Sequence, residues 1–181
     1  MNPPVLARLR EALPGLQVVG EDLDPGITVS YPSCGPDRVM GVKGALHLRP
    51  EADGVILLDA GTCLTATVGV RGEGVLGGAI APGVDLMARA LAEGTQTLPA
   101  VDPGERPGVL GRSTEDAIRV GVHAAFIGAA RELVSGIRGQ SPHTLDVVAA
   151  GTGAYALEDV ADAVHPNATL WGVYLAAGDS I

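Results

Sequence analysis

Aromatic side chains are nearly missing from this 181-residue sequence, which holds one Trp, one Phe and three Tyr, 3% in all. Its core must therefore be built from Val, Leu, Ile and Ala. Basic residues are also few: 12 Lys and Arg stand against 21 Asp and Glu, for a net charge of −9. That balance argues against partners made of nucleic acid or anionic lipid. Only two cysteines occur, Cys34 and Cys63, isolated and without metal-type spacing. They read as reduced thiols rather than a disulfide or a zinc site. No apolar run reaches the roughly 18 residues of a membrane span. The opening MNPPVLARLREALPG has no basic region followed by an apolar stretch, so no signal peptide is expected and a cytoplasmic location is. Neither G-x-x-x-x-G-K-[ST] nor a G-x-G-x-x-G after a strand is found, which excludes two common phosphate-binding loops. The nucleophile motif G-x-S-x-G is missing too, and the four histidines do not pair at ligand spacing.

What is present is apolar and glycine-rich: 46% hydrophobic residues, 18% charged, 26 Gly. This is the composition of a compact protein with many turns, long enough for one domain or one and part of another. Val5, Leu6, Leu9 and Leu13 predict a short amphipathic helix from Pro4 to Leu13. Leu16–Val19 and Gly26–Tyr31 are strand candidates joined by the acidic loop Gly20–Pro25, and a helix follows from Asp37 to Leu48. Asp37 lies in that helix's first turn, where an acid suits the dipole and a cation such as Arg38 does not.

The rest is arranged around VILLDAGTCLTATVGVRGEGVLGGAIAPG, Val55 to Gly83. Val55–Leu58 is uniformly apolar, as in a strand covered on both faces. Thr62–Val70 alternates as a strand, Arg71–Gly74 is a hairpin turn, and Val75–Ala81 returns. Within the return strand, Gly77-Gly78 removes side chains where another group must come close. A helix is predicted over Val84–Ala92, then an irregular stretch to Gly111. Ser113 next caps a long helix reaching about Ile137, with Asp116 at N3. Its small residues, Gly121, Ala124, Ala125, Gly128 and Ala129, permit close approach of a partner helix or of the core. Leu145–Ala150 is a second fully apolar strand, Gly151-Thr152-Gly153 a strand-to-helix turn, Tyr155–Val164 a helix, Ala168–Leu170 a strand and Gly172–Ala177 a last helical turn. Three meandering strands followed by alternating helices and strands form one half of an actin-like ATPase domain.

Asp59-Ala60-Gly61-Thr62 sets a carboxylate at a strand end beside a glycine, a hydroxyl and free backbone N–H groups. Phosphate oxygens need such donors at close range, and a carboxylate there can hold Mg²⁺. Asp59, Gly61, Thr62 and Thr65 are therefore expected to meet a phosphate. Phosphoryl transfer to an alcohol also wants a base and a nearby cation, which Asp37 and Arg38 can supply.

Together these motifs resemble type III pantothenate kinase, a bacterial enzyme of the actin-like superfamily. The matching pieces are Gly35-Pro36-Asp37-Arg38, Asp59-Ala60-Gly61-Thr62 with Thr65, Gly77 to Gly83, Leu98-Pro99-Ala100-Val101, and Gly111-Arg112-Ser113-Thr114 with Ala117, Ile118 and Gly121. The resemblance implies an α/β, ribonuclease H-like fold with residues 1–48 as the tail of a first actin-like half and its connecting helix. Residues 49–181 would be a complete second half. It implies ATP-dependent phosphorylation of pantothenate, the first step of coenzyme A biosynthesis, with Mg²⁺ and a monovalent cation, K⁺ or NH₄⁺, in a homodimer. It assigns Asp37 as the catalytic base and Gly35, Asp37, Arg38 and Thr114 to the substrate, Thr114 reaching across the dimer interface. It gives Asp59, Gly61, Thr62, Gly151 and Gly153 to the nucleotide, and Asp59 to the metal.

The sequence also departs from the family pattern. The first phosphate-binding element, D-x-G-N-T, does not occur, so the chain is expected to be a truncation whose start lies upstream. Thr67 stands where the family usually has a second acid, and Gly151-Thr152-Gly153 replaces a T-G-G. A non-catalytic dimeric homologue is the alternative function. Sugar or acetate kinase chemistry on the same fold is a more distant one.

Overall fold

The computed structural model describes residues 3–178. Its frame is one five-stranded sheet in the order β3-β2-β1-β4-β5. The strands are β1 (Gly54–Ala60), β2 (Cys63–Val70), β3 (Gly74–Pro82), β4 (Leu145–Ala150) and β5 (Ala163–Val164). β1, β2 and β3 form an antiparallel meander, and β4 and β5 add on in parallel beyond β1. Helices α1 (Pro3–Ala12), α2 (Pro36–Leu48), α3 (Val84–Gly94), α4 (Thr114–Gln140) and α5 (Ala168–Ala177) complete the chain. This is the ribonuclease H-like sheet of the actin-like fold, as the order of apolar runs predicted.

β1 is apolar throughout because both its faces are covered. Alternate side chains point to opposite faces of a strand. Ile56, Leu58 and Ala60 join Leu64, Ala66, Val147 and Ala149 under Phe126, Ala130 and Val134 of α4. Val55 and Leu57 join Val148 and Ala150 under Val39, Met40, Val42 and Leu46 of α2 and Ala168 of α5. The same alternation sends Asp59, the next odd position, to the α2 face. α4 has the length and apolarity to cross a bilayer, but its buried stripe is spent on this sheet. Its first turn is closed by Ser113, whose hydroxyl accepts from the Asp116 amide at 3.1 Å, as the capping pattern predicted.

Several expected elements differ. Leu16–Val19 is not a strand: Val18 accepts from the amides of Glu21, Asp22 and Leu23, so its carbonyl is used within a turn. Gly26–Tyr31 keeps only a bridge from Val29 to Val75, because a bulge between Val75 and Gly77 turns the edge of β3 away. Tyr155–Val164 is a short 3₁₀ turn, Ala154–Leu157, followed by β5. There the Asp162 and His165 amides pair with the Val147 and Ala149 carbonyls of β4, both at 2.8 Å, which a helix would forbid. Ala168–Leu170 is helical, not a strand. Short apolar runs carry no period of their own, and packing against α2 decides this one.

That packing is close. A Cβ on Gly44 would overlap the Ala168 carbonyl, and one on Gly172 the Met40 carbonyl. Alanine is ordinarily the better helix former by roughly 0.5–1 kcal/mol. Here Gly44→Ala and Gly172→Ala are predicted to destabilise by about 1–3 kcal/mol through overpacking. Gly136→Ala in α4 meets open space and should stabilise by about 0.5–1 kcal/mol. Chemical denaturation of the three variants reads the opposed signs.

Candidate functional site

The site lies at the carboxyl ends of β1 and β4, where open α/β sheets bind ligands. β1 ends with Asp59 on the α2 face, and directly above it α2 begins with Pro36-Asp37-Arg38. Pro36 at the first helical position fixes the start of α2, so Asp37 falls in the first turn. The strand end and the helix start thus bring the exposed Asp37 within electrostatic reach of the half-buried Asp59.

Their proximity has an electrostatic signature. Burial pushes the Asp59 carboxyl above its ordinary range, and the neighbouring Asp37 carboxylate pushes it further the same way. Neither acid is ion-paired with a basic group among the described residues. Gly151, at φ +84°, lies so close that a Cβ there would overlap Asp59 Oδ1. Gly35 stands against Asp37 Oδ1 in the same way.

On the other side of the β1 end is a cavity of 430 Å³. Its walls include Gly61 and Thr62 from the β1–β2 turn, Thr152 and Gly153 from the β4 turn, Asp85 of α3 and His123 of α4. Glycines shape the rim. The Gly153 amide donates to the Ala60 carbonyl at 2.9 Å, and the Gly83 amide to that of Thr62 at 3.0 Å. The irregular stretch before α4 closes one side, held by Arg119 Nε on the Asp102 carbonyl at 3.1 Å and by His123 Nε2 on the Gly104 carbonyl at 3.0 Å.

Arg38 turns back over the sheet. Its Nε donates to the Thr67 hydroxyl at 2.9 Å. Gly78, opposite Thr67 on β3, has no room for a Cβ, which would overlap the Ala66 carbonyl and lie 2.5 Å from Arg38 Nη2. Close approach is thus the reason for one of the two adjacent glycines; Gly77 meets nothing. Tyr31 belongs to this corner: hydrogen bonding with Cys34 and burial push its hydroxyl up, while Arg38 pulls it back.

The structure therefore gathers Gly35, Asp37, Arg38, Asp59, Thr65 and Gly151 around one face of the β1 end, and Gly61, Thr62 and Gly153 around the cavity on the other. Thr114 is not brought in. It is exposed in the first turn of α4 and lines neither region. Asp85, Asp102, Thr152 and His123 were missed. Asp85 sits in the first turn of α3, where an acid suits the dipole without any ligand, and nothing in the sequence turned His123 toward the cavity.

Among the described residues no three His, Cys, Asp or Glu cluster as a metal site. Two neighbouring carboxylates, Asp59 half-buried and Asp37 exposed, fit a Mg²⁺ that keeps waters and takes phosphate oxygens. The place of Thr67 does not fit a monovalent cation, because a guanidinium already sits on its hydroxyl.

The raised pKa of Asp59 sets a stability test. Its folded-state value lies above the reference value of 3.8, so the folded chain binds the proton more tightly than the unfolded one. Stability is then lost as pH rises through the folded pKa. Asp59→Asn, which removes the buried charge, should raise Tm at pH 7 and raise it less at pH 4. Calorimetric melts at the two values read the difference.

The family model described as Type III pantothenate kinase matches residues 5–136. A type III pantothenate kinase of Legionella pneumophila (strain Paris) is 32% identical over 159 residues, 84% of this chain and 62% of its own. One from Dehalococcoides mccartyi is 33% identical over 162 residues, 86% and 62% of the two chains. One from Rhodopirellula baltica is 40% identical over 124 residues, 65% and 44% of the two chains. A solved structure from Campylobacter jejuni, described as a Baf family transcriptional activator, has a TM-score of 0.56 at 16% identity. It covers 84% of this chain and 68% of its own, and shows the fold alone. The chain spans about six-tenths of the length of the first curated relatives it matches. With residues 5–136 matched by one family model and relatives aligned over 84% and 86% of its length, the chain belongs to the type III pantothenate kinase family.

Proposed function

We propose that the chain carries the phosphoryl-transfer face of an ATP-dependent pantothenate kinase, making 4′-phosphopantothenate at the start of coenzyme A biosynthesis. The observation that carries this reading is the neighbouring pair Asp37 and Asp59, set beside a glycine- and threonine-rimmed cavity. Asp37 accepts the proton of the acceptor hydroxyl as its oxygen attacks the γ-phosphorus and the bond to the ADP oxygen breaks. General-base help of this kind is worth roughly 10²–10⁴-fold. Arg38, with Gly35, orients the acceptor. The Thr62 hydroxyl would meet a phosphate oxygen, while Gly61, Gly151 and Gly153, whose amides donate to the carbonyls of Cys63, Pro166 and Ala60, would let it approach without supplying donors. Asp59 would hold Mg²⁺, whose charge offsets that of the phosphates when bound. No step is assigned to K⁺ or NH₄⁺.

The same reading takes residues 1–48 as the end of a first actin-like half and 49–181 as a second. It makes the working form a homodimer in the cytoplasm. The exposed small residues of α4, Gly121, Ala124, Ala125 and Gly128, would seat the second copy. Exposed Thr114 would meet the other copy's acceptor. No nucleic-acid or membrane partner is part of this reading, in keeping with the net charge of −9.

A second reading, a non-catalytic dimeric homologue, draws on the amides of Gly61, Gly151 and Gly153 being spent on chain carbonyls. Coupled measurement of ADP release with and without pantothenate separates the two. Pantothenate-dependent release is expected, and Asp37→Asn should lower kcat by about 10²–10⁴-fold with a melting temperature no lower than the wild type's. Absence of release from the wild type would favour the non-catalytic homologue. Release that survives Asp37→Asn would reduce Asp37 to a helix-start acid.

A further inference from the structure

Towards the other end of α2 from Asp37, a cavity of 470 Å³ opens between that helix, the β2–β3 hairpin and the stretch before α2. Every titratable side chain that lines it is basic: Lys43 and His47 of α2, and Arg71 of the hairpin. Lys43 is the one lysine in the sequence. In a chain of net charge −9, basic groups ordinarily have carboxylates at hand. None of these three is ion-paired among the described residues. The acids of the neighbouring segments are turned elsewhere. Asp24 accepts from the Gly26 amide at 2.8 Å, Glu73 pairs with His143 at 3.1 Å, and Glu51 and Asp53 line a separate cavity.

Main-chain carbonyls hold the two longer cations without neutralising them. Lys43 Nζ donates to the Pro25 carbonyl at 2.7 Å, one of the three hydrogen bonds an ammonium can make. Arg71 Nε donates to the Ala52 carbonyl at 2.8 Å, and Nη2 to the carbonyls of Leu46 and Arg49. The guanidinium thereby covers the negative end of α2, and its Nη1 takes no partner among the described residues. The His47 ring is steadied by stacking on Trp171, with centroids 5.5 Å apart. Arg71 and His47 are exposed and Lys43 is half-buried, so all three can be reached from solvent. Ile27, Leu46 and Val70 make the apolar part of the wall.

We propose that this cavity binds a small organic phosphate. Its monoester group would lie against Lys43, His47 and Arg71, and its carbon portion along Ile27, Leu46 and Val70. A phosphomonoester brings three acceptor oxygens and nearly two negative charges, a match for three basic groups converging from two elements. A carboxylate brings two oxygens and one charge. Clefts of this size hold organic molecules rather than a bare ion. The site is distinct from the acid pair: His47 lies ten residues along α2 from Asp37, about 15 Å at the rise of an α-helix.

The test is NMR titration of the full, isotope-labelled chain with butyl phosphate and with inorganic phosphate at constant ionic strength. Saturable shifts are expected at the amides of Thr28, Lys43, His47 and Gly72, with butyl phosphate binding about tenfold or more tighter through its buried methylenes. Lys43→Gln should raise the Kd for butyl phosphate about tenfold or more, the scale of one charge-assisted hydrogen bond. Because Lys43 also ties down Pro25, Thr28→Asp is the second variant. It adds a carboxylate at an exposed position of the wall, leaves the Lys43 contact in place, and should weaken binding as much. Shifts confined to Gly61, Thr62 and Gly153 overturn the proposal by assigning the phosphate to the other cavity. Equal affinity for the two phosphates overturns it, as does an unchanged Kd in both variants.

Discussion

Everything at the site follows from a strand that is covered on both faces and ends in an acid. β1 is the only strand with partners on each side that run in opposite senses, β2 antiparallel and β4 parallel. Helices shut both of its faces off from water. With no solvated face, its residues must be apolar until the strand runs out, and the first polar side chain marks where the cover ends. That side chain is Asp59. The period of two that places Leu57 under α2 places Asp59 there as well, so it meets the start of that helix instead of α4. The cavity and the acid pair are the two flanks of one strand end.

The charges around it are few and poorly compensated. Asp37 and Asp59 repel each other, Arg38 is close by but paired with neither, and the hydroxyl beneath Arg38 is neutral. Asp37 is exposed and Asp59 and Arg38 are half-buried, so the lack of pairing costs far less than it would for fully buried charges. Repelling acids and an unneutralised guanidinium are what a site needs if it is completed by a divalent cation, phosphates and an anionic acceptor. The glycines serve the same end. Gly35, Gly78 and Gly151 stand where a methyl group would strike Asp37, Arg38 or Asp59, so the backbone is thinned around each charged group.

Much of this was legible in the sequence because the signals were local. The uniform run before Asp59, the hairpin at Arg71–Gly74, the Ser113 cap and the Pro36 helix start each depend on a few adjacent residues. Ala168–Leu170 was misread because a short apolar run fits a strand or a helix, and the choice is made by Met40 and Gly44 over a hundred residues away. Tyr155–Val164 was misread because its polar groups are claimed by β4. The same distinction holds at the site. Asp37, Arg38, Asp59 and the glycines sit in motifs and could be named. His123 and Asp85 reach the cavity only through the packing of α3 and α4. Thr67 could be seen as a departure from the family pattern, but not that Arg38 rests on it.

The central claim is that Asp37 and Asp59 share one electrostatic environment, and NMR titration of the Asp59 side-chain carboxyl tests it directly. In the wild type Asp59 should titrate above its reference value of 3.8, and in Asp37→Asn its midpoint should fall while burial keeps it above that value. An identical titration curve in the two proteins would mean that the acids are not within electrostatic reach of each other, and would contradict the site described.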